Sequence, residues 1–154
     1  MKSKKAYCNN LLKYSRLQTR RVKIGDISVG GSEPIRVQSM TTTKTLDTEE
    51  TVKQSIRMIN AGCELVRITA PSIKDAENLK KIKRILLEKG YNTPLVADIH
   101  FTPNAAEVAT NYVEKVRINP GNYADKKKFE QKEYTNQSYQ EELYRIKEKV
   151  SPLI

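Results

Sequence analysis

Four short apolar stretches of this sequence end in polar or ionisable side chains, and these are the groups with which the chain could do chemistry. In three of the stretches the two polar residues are two positions apart, so on a strand they would share one face. An ionisable group at the end of a buried strand costs free energy unless it is paired or has a function. The residues are Gln38 and Ser39, Arg67 and Thr69, Asp98 and His100, and Arg117 and Asn119.

The arginines among these residues indicate an anionic ligand. A guanidinium group binds two phosphate oxygens at once, so Arg67 and Arg117 at one edge of a sheet would suit a diphosphate. Asp98 can orient His100 or accept a hydrogen bond from a ligand hydroxyl, and His100 can donate to a phosphate or move a proton. Asn119 offers both a donor and an acceptor. We therefore predict catalytic roles for Asp98 and His100, substrate-binding roles for the other residues of the set, and no metal ligand.

Each of these residues also has an ordinary structural explanation. A single histidine such as His100 is more often a hydrogen-bonded structural residue, and Arg67 or Arg117 could pair with a surface carboxylate. The recurrence of polar groups at four strand ends favours a functional site, because such ends meet at one rim in a β/α barrel. The sequence contains no Walker loop, no GxGxxG motif and no evident nucleophile–base pair.

The strands that would position these groups are predicted from apolar runs. Leu95, Val96 and Ala97 follow a proline, as expected of a strand that is buried on both faces of a parallel sheet. Similar runs predict strands at 64–69 and Lys115–Ile118, and a first core strand that begins at 35–37 and continues to Met40. Pro120 and Gly121 then predict a turn.

Helices are predicted between and after the strands, because capping residues precede stripes of apolar residues at helical spacing. Gly62 and Gly90 are expected to end the first two helices. The predicted starts are Asp47 with Glu50, Ser72 with Asp75, Thr102 with Pro103, and Ser138 with Glu141.

The spacing of the elements predicts an α/β fold, a partial (β/α)8 TIM barrel with about the first four βα units. Strands begin near Pro34, Glu64, Pro94 and Lys115, and a βα unit of about 30 residues recurs, roughly one-eighth of a typical barrel. Segments 21–24 and Ile27–Val29 predict an N-terminal hairpin that could cap the bottom of the barrel.

The chain divides into three segments. Residues 1–19 form a basic arm, which could be partly helical around 11–17 or simply a solvated leader. Residues 20–122 form the N-terminal part of a barrel domain that binds substrate. Residues 123–154 form a charged loop, at 123–132, and a helix that lead towards a missing remainder of the barrel.

The amino-acid composition of the chain argues against several classes of function. The formal net charge of +10 fits an anionic partner, although a lysine-rich solvated surface would explain most of it. Cys8 and Cys63 are the only cysteines and lack CxxC spacing, so neither a zinc site nor a disulfide framework is indicated. No apolar run reaches membrane length, no RNA-stacking motif occurs, and a reducing cytoplasm fits.

Four segments of the sequence closely resemble a known family. VGGSEPIRVQSMTTTKTLD, INAGCELVRIT, PLVADIHF and KVRINPGN are similar to the N-terminal barrel of (E)-4-hydroxy-3-methylbut-2-enyl diphosphate synthases. These enzymes of the non-mevalonate isoprenoid pathway reductively open 2-C-methyl-D-erythritol 2,4-cyclodiphosphate. The resemblance runs in order from about Arg20 to Asn122, and YADKKKFE resembles the longer version of the family, which carries an inserted domain.

The resemblance implies roles for this chain within a larger iron–sulfur oxidoreductase. Arg67 and Arg117 match the diphosphate-binding arginines of the family, and Asp98, His100 and Asn119 match polar positions around the substrate. The family reduces its substrate with electrons from ferredoxin or flavodoxin, through a [4Fe–4S] cluster held by three cysteines and a glutamate in a C-terminal domain. Nothing in this chain corresponds to those ligands, so the chain alone should bind substrate, bind no cofactor and be inactive.

Two other functions stay open from the residues alone. A barrel aldolase or isomerase acting on a phosphorylated sugar would favour a lysine at a strand end, and none is found there. A basic nucleic-acid-binding domain would place cations and aromatic residues on one face, whereas the arginines here lie at strand ends. Open strand edges in half a barrel also predict self-association, most simply a homodimer.

Overall fold

The computed structural model describes residues 10, 12–15, 17–125 and 133–154. Most of the predicted arm is therefore outside the described residues, and so is 126–132 of the predicted charged loop. An antiparallel hairpin comes first, with strand β1 (Val22–Ile24) paired to strand β2 (Ile27–Val29), as predicted. Gly25 allows the tight reversal between them, because its φ of 57° lies in the left-handed region that side chains disfavour.

A parallel sheet of four strands forms the centre of the fold. Its order follows the sequence and agrees with the predicted half barrel. Each strand is joined to the next by a helical segment, as right-handed β/α units require. The strands are β3 (Gln38–Met40), β4 (Leu65–Thr69), β5 (Leu95–Ile99) and β6 (Lys115–Ile118).

Helices follow the strands of this sheet. The three that join the strands are α1 (Thr48–Asn60), α2 (Ile73–Glu88) and α3 (Pro103–Ala109). The short helix α4 (Pro120–Tyr123) stands where a turn was predicted, and α5 (Asn136–Val150) continues into a 3-10 turn at Ser151–Leu153.

Local capping explains where most of these helices begin. The Asp47 carboxylate accepts from the Glu50 N–H at 3.1 Å, and the Ser72 hydroxyl accepts from the Asp75 N–H at 3.3 Å, as the sequence predicted. Thr102 precedes α3 but makes no side-chain cap; its hydroxyl donates to the Pro71 carbonyl instead. The predicted start of the last helix at Ser138 is wrong, because Thr135 caps α5 and accepts from the Ser138 N–H.

The two faces of the sheet are covered differently. On the face towards α1, α2 and α3, the side chains of the two central strands, β4 and β5, are apolar and buried, with Val66, Ile68 and Ile99 among them. On the opposite face the hairpin covers only the amino-terminal end, where Ile24 packs with Leu65 and Val96. The hairpin thus lies where the sequence predicted a cap. The carboxyl end of this second face carries the polar side chains.

The segment after β6 is not simply a surface loop, as the sequence had predicted for 123–132. Tyr123 is only 2% exposed and belongs to the core on the helical side of the sheet. Burial and the nearby charge of Glu107 raise the pKa of Tyr123. Arg145 and Lys149 of α5 both donate to the Ala124 carbonyl, which fastens this segment to the last helix.

A carboxylate joins β3 to β4 at the amino-terminal end of the sheet. Glu64 accepts from the Val37 N–H at 2.8 Å and from Arg36 Nη1 at 2.8 Å. The Val37 N–H, and then the Arg36 guanidinium, lower the pKa of Glu64 below its ordinary value of 4.5.

Across the described residues, no helix has the length and apolar character needed to cross a membrane.

Candidate functional site

The register of the parallel sheet brings most of the predicted site residues onto its open face. Thr69 lies beside Asp98, and Asp98 lies beside Arg117, so these three side chains form one row across β4, β5 and β6. Arg67 precedes Thr69 by two positions and His100 follows Asp98 by two, so both share this face. The strands run parallel, so the row lies near their carboxyl ends.

Asp98 is the centre of this group. Its side chain is 1% exposed, and its oxygen Oδ2 accepts from Arg67 Nη2 at 2.7 Å while Oδ1 accepts from Arg117 Nη1 at 3.1 Å. His100 Nε2 lies 3.2 Å from the same Oδ2. A buried carboxylate without partners would be strongly unfavourable, and here two guanidinium groups compensate its charge.

Arg67 and Arg117 together carry more positive charge than Asp98 neutralises. Two guanidinium charges against one carboxylate leave one positive charge in excess, before any proton on His100. The side chains of Arg67 and Arg117 are 26% and 37% exposed, so part of each faces the open side of the sheet. Arg67 Nε is buried and has no partner among the described residues. This arrangement can bind an anion with several oxygens.

Thr69, Asn119 and Gln38 lie around this centre. The Thr69 hydroxyl is 3.9 Å from Met40 Sδ, which brings the end of β3 next to the row. Asn119 follows β6, two positions after Arg117, and its backbone carbonyl accepts from the N–H groups of Asn122 and Tyr123 in α4. Gln38 lies beside Leu65, and therefore closer than Arg67 to the amino-terminal end of the open face.

Ser39 does not join the group. The register pairs Ser39 with Val66, whose side chain belongs to the core on the helical side of the sheet. The Ser39 N–H donates to Cys63 Sγ at 3.1 Å. Met40, beside Arg67, occupies the open face instead. Counting alternate positions from Gln38 would have found Met40, because residues two apart on a strand share a face.

The described residues do not fit an iron–sulfur cluster or another metal centre. Within 10, 12–15, 17–125 and 133–154, no three His, Cys, Asp or Glu side chains are grouped to hold a metal ion. Cys63 is buried and its thiol donates to the Leu65 carbonyl at 2.8 Å. The whole sequence has two cysteines, fewer than the thiolates that a [4Fe–4S] cluster normally takes.

Comparison with known proteins gives the following similarities. Residues 19–144 match the family described as the GcpE TIM-barrel domain. A 4-hydroxy-3-methylbut-2-en-1-yl diphosphate synthase (flavodoxin) of Leptospira interrogans is 55% identical over 141 residues, which are 92% of this chain and 21% of that protein. Proteins of the same name from Akkermansia muciniphila and Protochlamydia amoebophila are 51% and 48% identical, over 97% of this chain and 26% and 23% of their own lengths. The chain thus spans about a fifth to a quarter of these relatives.

Proposed function

The chain belongs to the GcpE TIM-barrel domain family, and from that premise we propose that it forms the substrate-binding part of a 4-hydroxy-3-methylbut-2-en-1-yl diphosphate synthase. The ligand would be 2-C-methyl-D-erythritol 2,4-cyclodiphosphate. The observation that carries this proposal is the pair of arginines anchored on one buried carboxylate, with part of each arginine side chain exposed.

The proposed division of labour follows from the geometry of the site. Arg67 and Arg117 bind the two negatively charged phosphate groups, and Asp98 holds both guanidinium groups at a fixed separation. His100, 3.2 Å from Asp98, is the group best placed to give a proton to an oxygen of the opening ring. Thr69, Asn119 and Gln38 are proposed to hydrogen-bond the rest of the ligand. Ser39 is not part of the proposed site, because it lies beside Val66 of the core on the helical side of the sheet.

The reductive step is assigned to other parts of the synthase. The described residues offer no site for a [4Fe–4S] cluster, and the electron-transfer step is proposed to take place elsewhere in the synthase. Flavodoxin, which appears in the names of the relatives, or ferredoxin would supply the electrons. The 154-residue chain by itself is proposed to be inactive, and a cytoplasmic location and a homodimer belong to the same proposal.

The sugar-phosphate aldolase or isomerase is less well supported. Such an enzyme often needs a lysine at the carboxyl end of a strand to form a Schiff base. Lys115 shares the open face, but it stands at the start of β6, two positions before Arg117. The nucleic-acid alternative is weakened because Arg67 and Arg117 are paired on the sheet face.

Calorimetric titration of the cyclodiphosphate into the full polypeptide that carries this sequence tests the proposal. Arg67→Ala and Arg117→Ala should each weaken binding roughly tenfold or more, since a hydrogen bond to a charged group contributes about 1.5–3 kcal/mol. Arg84→Ala is the matched control, because Arg84 is an exposed residue of α2 that pairs only with Glu88 among the described residues. Unchanged affinity in both site variants would overturn the assignment.

A further inference from the structure

The loop at 41–45, here called the threonine loop, is attached at both ends to the strand that carries Arg67. The Thr41 N–H donates to the Arg67 carbonyl at 2.9 Å, and the Thr45 hydroxyl donates to the Thr69 carbonyl. Thr45 is itself held from α2, where Asn78 Nδ2 donates to its carbonyl at 2.7 Å. The loop follows β3, so it lies at the end of the sheet that carries the proposed substrate site.

The middle of the threonine loop is held by one side chain of α1. Gln54 Oε1 accepts from the Thr42 N–H at 2.9 Å and from the Thr43 N–H at 3.2 Å. Gln54 Nε2 donates to the Thr42 hydroxyl at 3.0 Å. Thr51, one helical turn earlier, adds a hydroxyl contact to Thr43 at 2.8 Å. These N–H groups have no strand to bond, so the conformation of the loop depends on the Gln54 amide.

The threonine loop borders a cleft that reaches the proposed site. The cleft has a volume of about 330 Å³, and Lys44, Thr69, Pro71 and Asp75 are among the residues that line it. Thr69 belongs to the row of Asp98 and Arg117. The Lys44 side chain is exposed, and its ammonium group has no partner within the described part of the chain. The loop therefore presents a further cation on the cleft that Thr69 also lines.

We infer that Gln54 is a positioning residue for the substrate site. It fixes the threonine loop against α1. The fixed loop keeps Lys44 on the lining of the cleft and bonds the backbone of Thr69 through Thr45, and this cleft is proposed to take part of the phosphorylated ligand. Among the described residues, the Gln54 amide bonds Thr42 and Thr43 and none of Arg67, Asp98 and Arg117. The inference rests on the proposed function and adds to it a residue that fixes the conformation of the loop bordering the site.

Removing the amide of Gln54 tests this role. In the full polypeptide that carries this sequence, Gln54→Leu keeps the size of the side chain but loses its hydrogen bonds. We expect affinity for the cyclodiphosphate to fall about fivefold or more, with kcat retained and KM raised. The matched control is Gln140→Leu, the same change at an exposed position of α5. Gln54→Leu should unfold thermally within a few degrees of this control.

Hydrogen exchange supplies a second readout that needs no ligand. The Thr42 and Thr43 amides should exchange faster in Gln54→Leu, whereas Gln54→Glu keeps the acceptor oxygen and should keep their protection. Wild-type affinity in Gln54→Leu would overturn the inference, as would weak binding that merely accompanies a large loss of thermal stability. A wild-type protein that does not bind the cyclodiphosphate at all would instead refute the proposed function, and this inference with it.

Discussion

Arg67 and Arg117 stand on strands that are not neighbours, yet their guanidinium groups bind the two oxygens of the same carboxylate, at 2.7 and 3.1 Å. That carboxylate, Asp98, lies on β5 between them and is almost completely buried. The separation of the cations is therefore set by the sheet and by one acidic residue, before any ligand arrives. Such preorganisation would lower the entropy cost of binding the proposed diphosphate ligand.

Replacing Asp98 by asparagine should destabilise the fold and loosen the arginines. The amide keeps the shape of the side chain but loses the charge that both guanidinium groups bind. We expect the free energy of unfolding to fall by about 1–3 kcal/mol, as for other buried partners of charged groups. Urea denaturation measures this loss, with Glu88→Gln at an exposed pair as the control. A variant as stable as the wild type would show that Asp98 is not the anchor.

Much of the fold could be predicted because its signals are local. The caps at Asp47 and Ser72 and the apolar runs of β4, β5 and β6 fix where those elements lie, and parallel order follows from their alternation. The first core strand was predicted to begin at 35–37, but β3 begins at Gln38, after that apolar run. The start of α5 was misplaced because Thr135 and Ser138 are both good capping residues at adjacent turns.

The composition of the site was harder to predict than its location. Adjacent residues of a strand point to opposite faces, so Gln38 and Ser39 could not both face the site, although the sequence prediction included both. The register of the three-residue β3 puts Ser39 beside Val66, on the helical side of the sheet. The sequence showed that Arg67, Asp98 and Arg117 end strands, but not that one carboxylate joins both arginines, because that depends on register across three strands. The contact of Gln54 with the threonine loop likewise depends on tertiary packing.

The stability of the fold should depend on pH through Glu64. Its pKa is lower in the folded protein than its ordinary value of 4.5, so the stabilisation is complete above that value and is lost as the pH falls through the folded pKa. The difference in unfolding free energy between wild type and Glu64→Gln should therefore shrink as the pH is lowered from about 6 to about 3. Urea titrations across this range measure it. A difference that is constant or grows towards low pH would contradict the assignment.

The open edges of the sheet predict self-association of the 154-residue chain. In the described structure β3 and β6 each pair with one neighbour only, and strands with unpaired edges readily bind others. Ile35 and Val37, just before β3, expose apolar side chains near one of these edges. Light scattering over a concentration series should show dimers or larger species, and a stable monomer at high concentration would contradict the prediction.

The isolated chain should take up no stoichiometric iron–sulfur cluster. Of its two cysteines, Cys63 is buried and its thiol is bonded to the Leu65 carbonyl. Anaerobic reconstitution with iron and sulfide, followed by absorbance and iron analysis, tests this. Cys63→Ser serves as a control for adventitious binding. One cluster per chain in the wild type would overturn the placement of the redox centre outside these residues.

His100 provides the sharpest distinction between binding and chemistry within the proposed site. It shares Asp98 Oδ2 with Arg67 but is 44% exposed, so it can reach a ligand that lies over the arginines. In the full polypeptide with its cluster intact, His100→Ala should lower kcat by about a hundredfold if it acts as a general acid. The Kd for the cyclodiphosphate should change much less than in Arg67→Ala or Arg117→Ala, because the anion contacts are kept. Steady-state kinetics and calorimetry on the same preparations separate the two effects, and a loss of affinity with unchanged kcat would make His100 a binding residue instead.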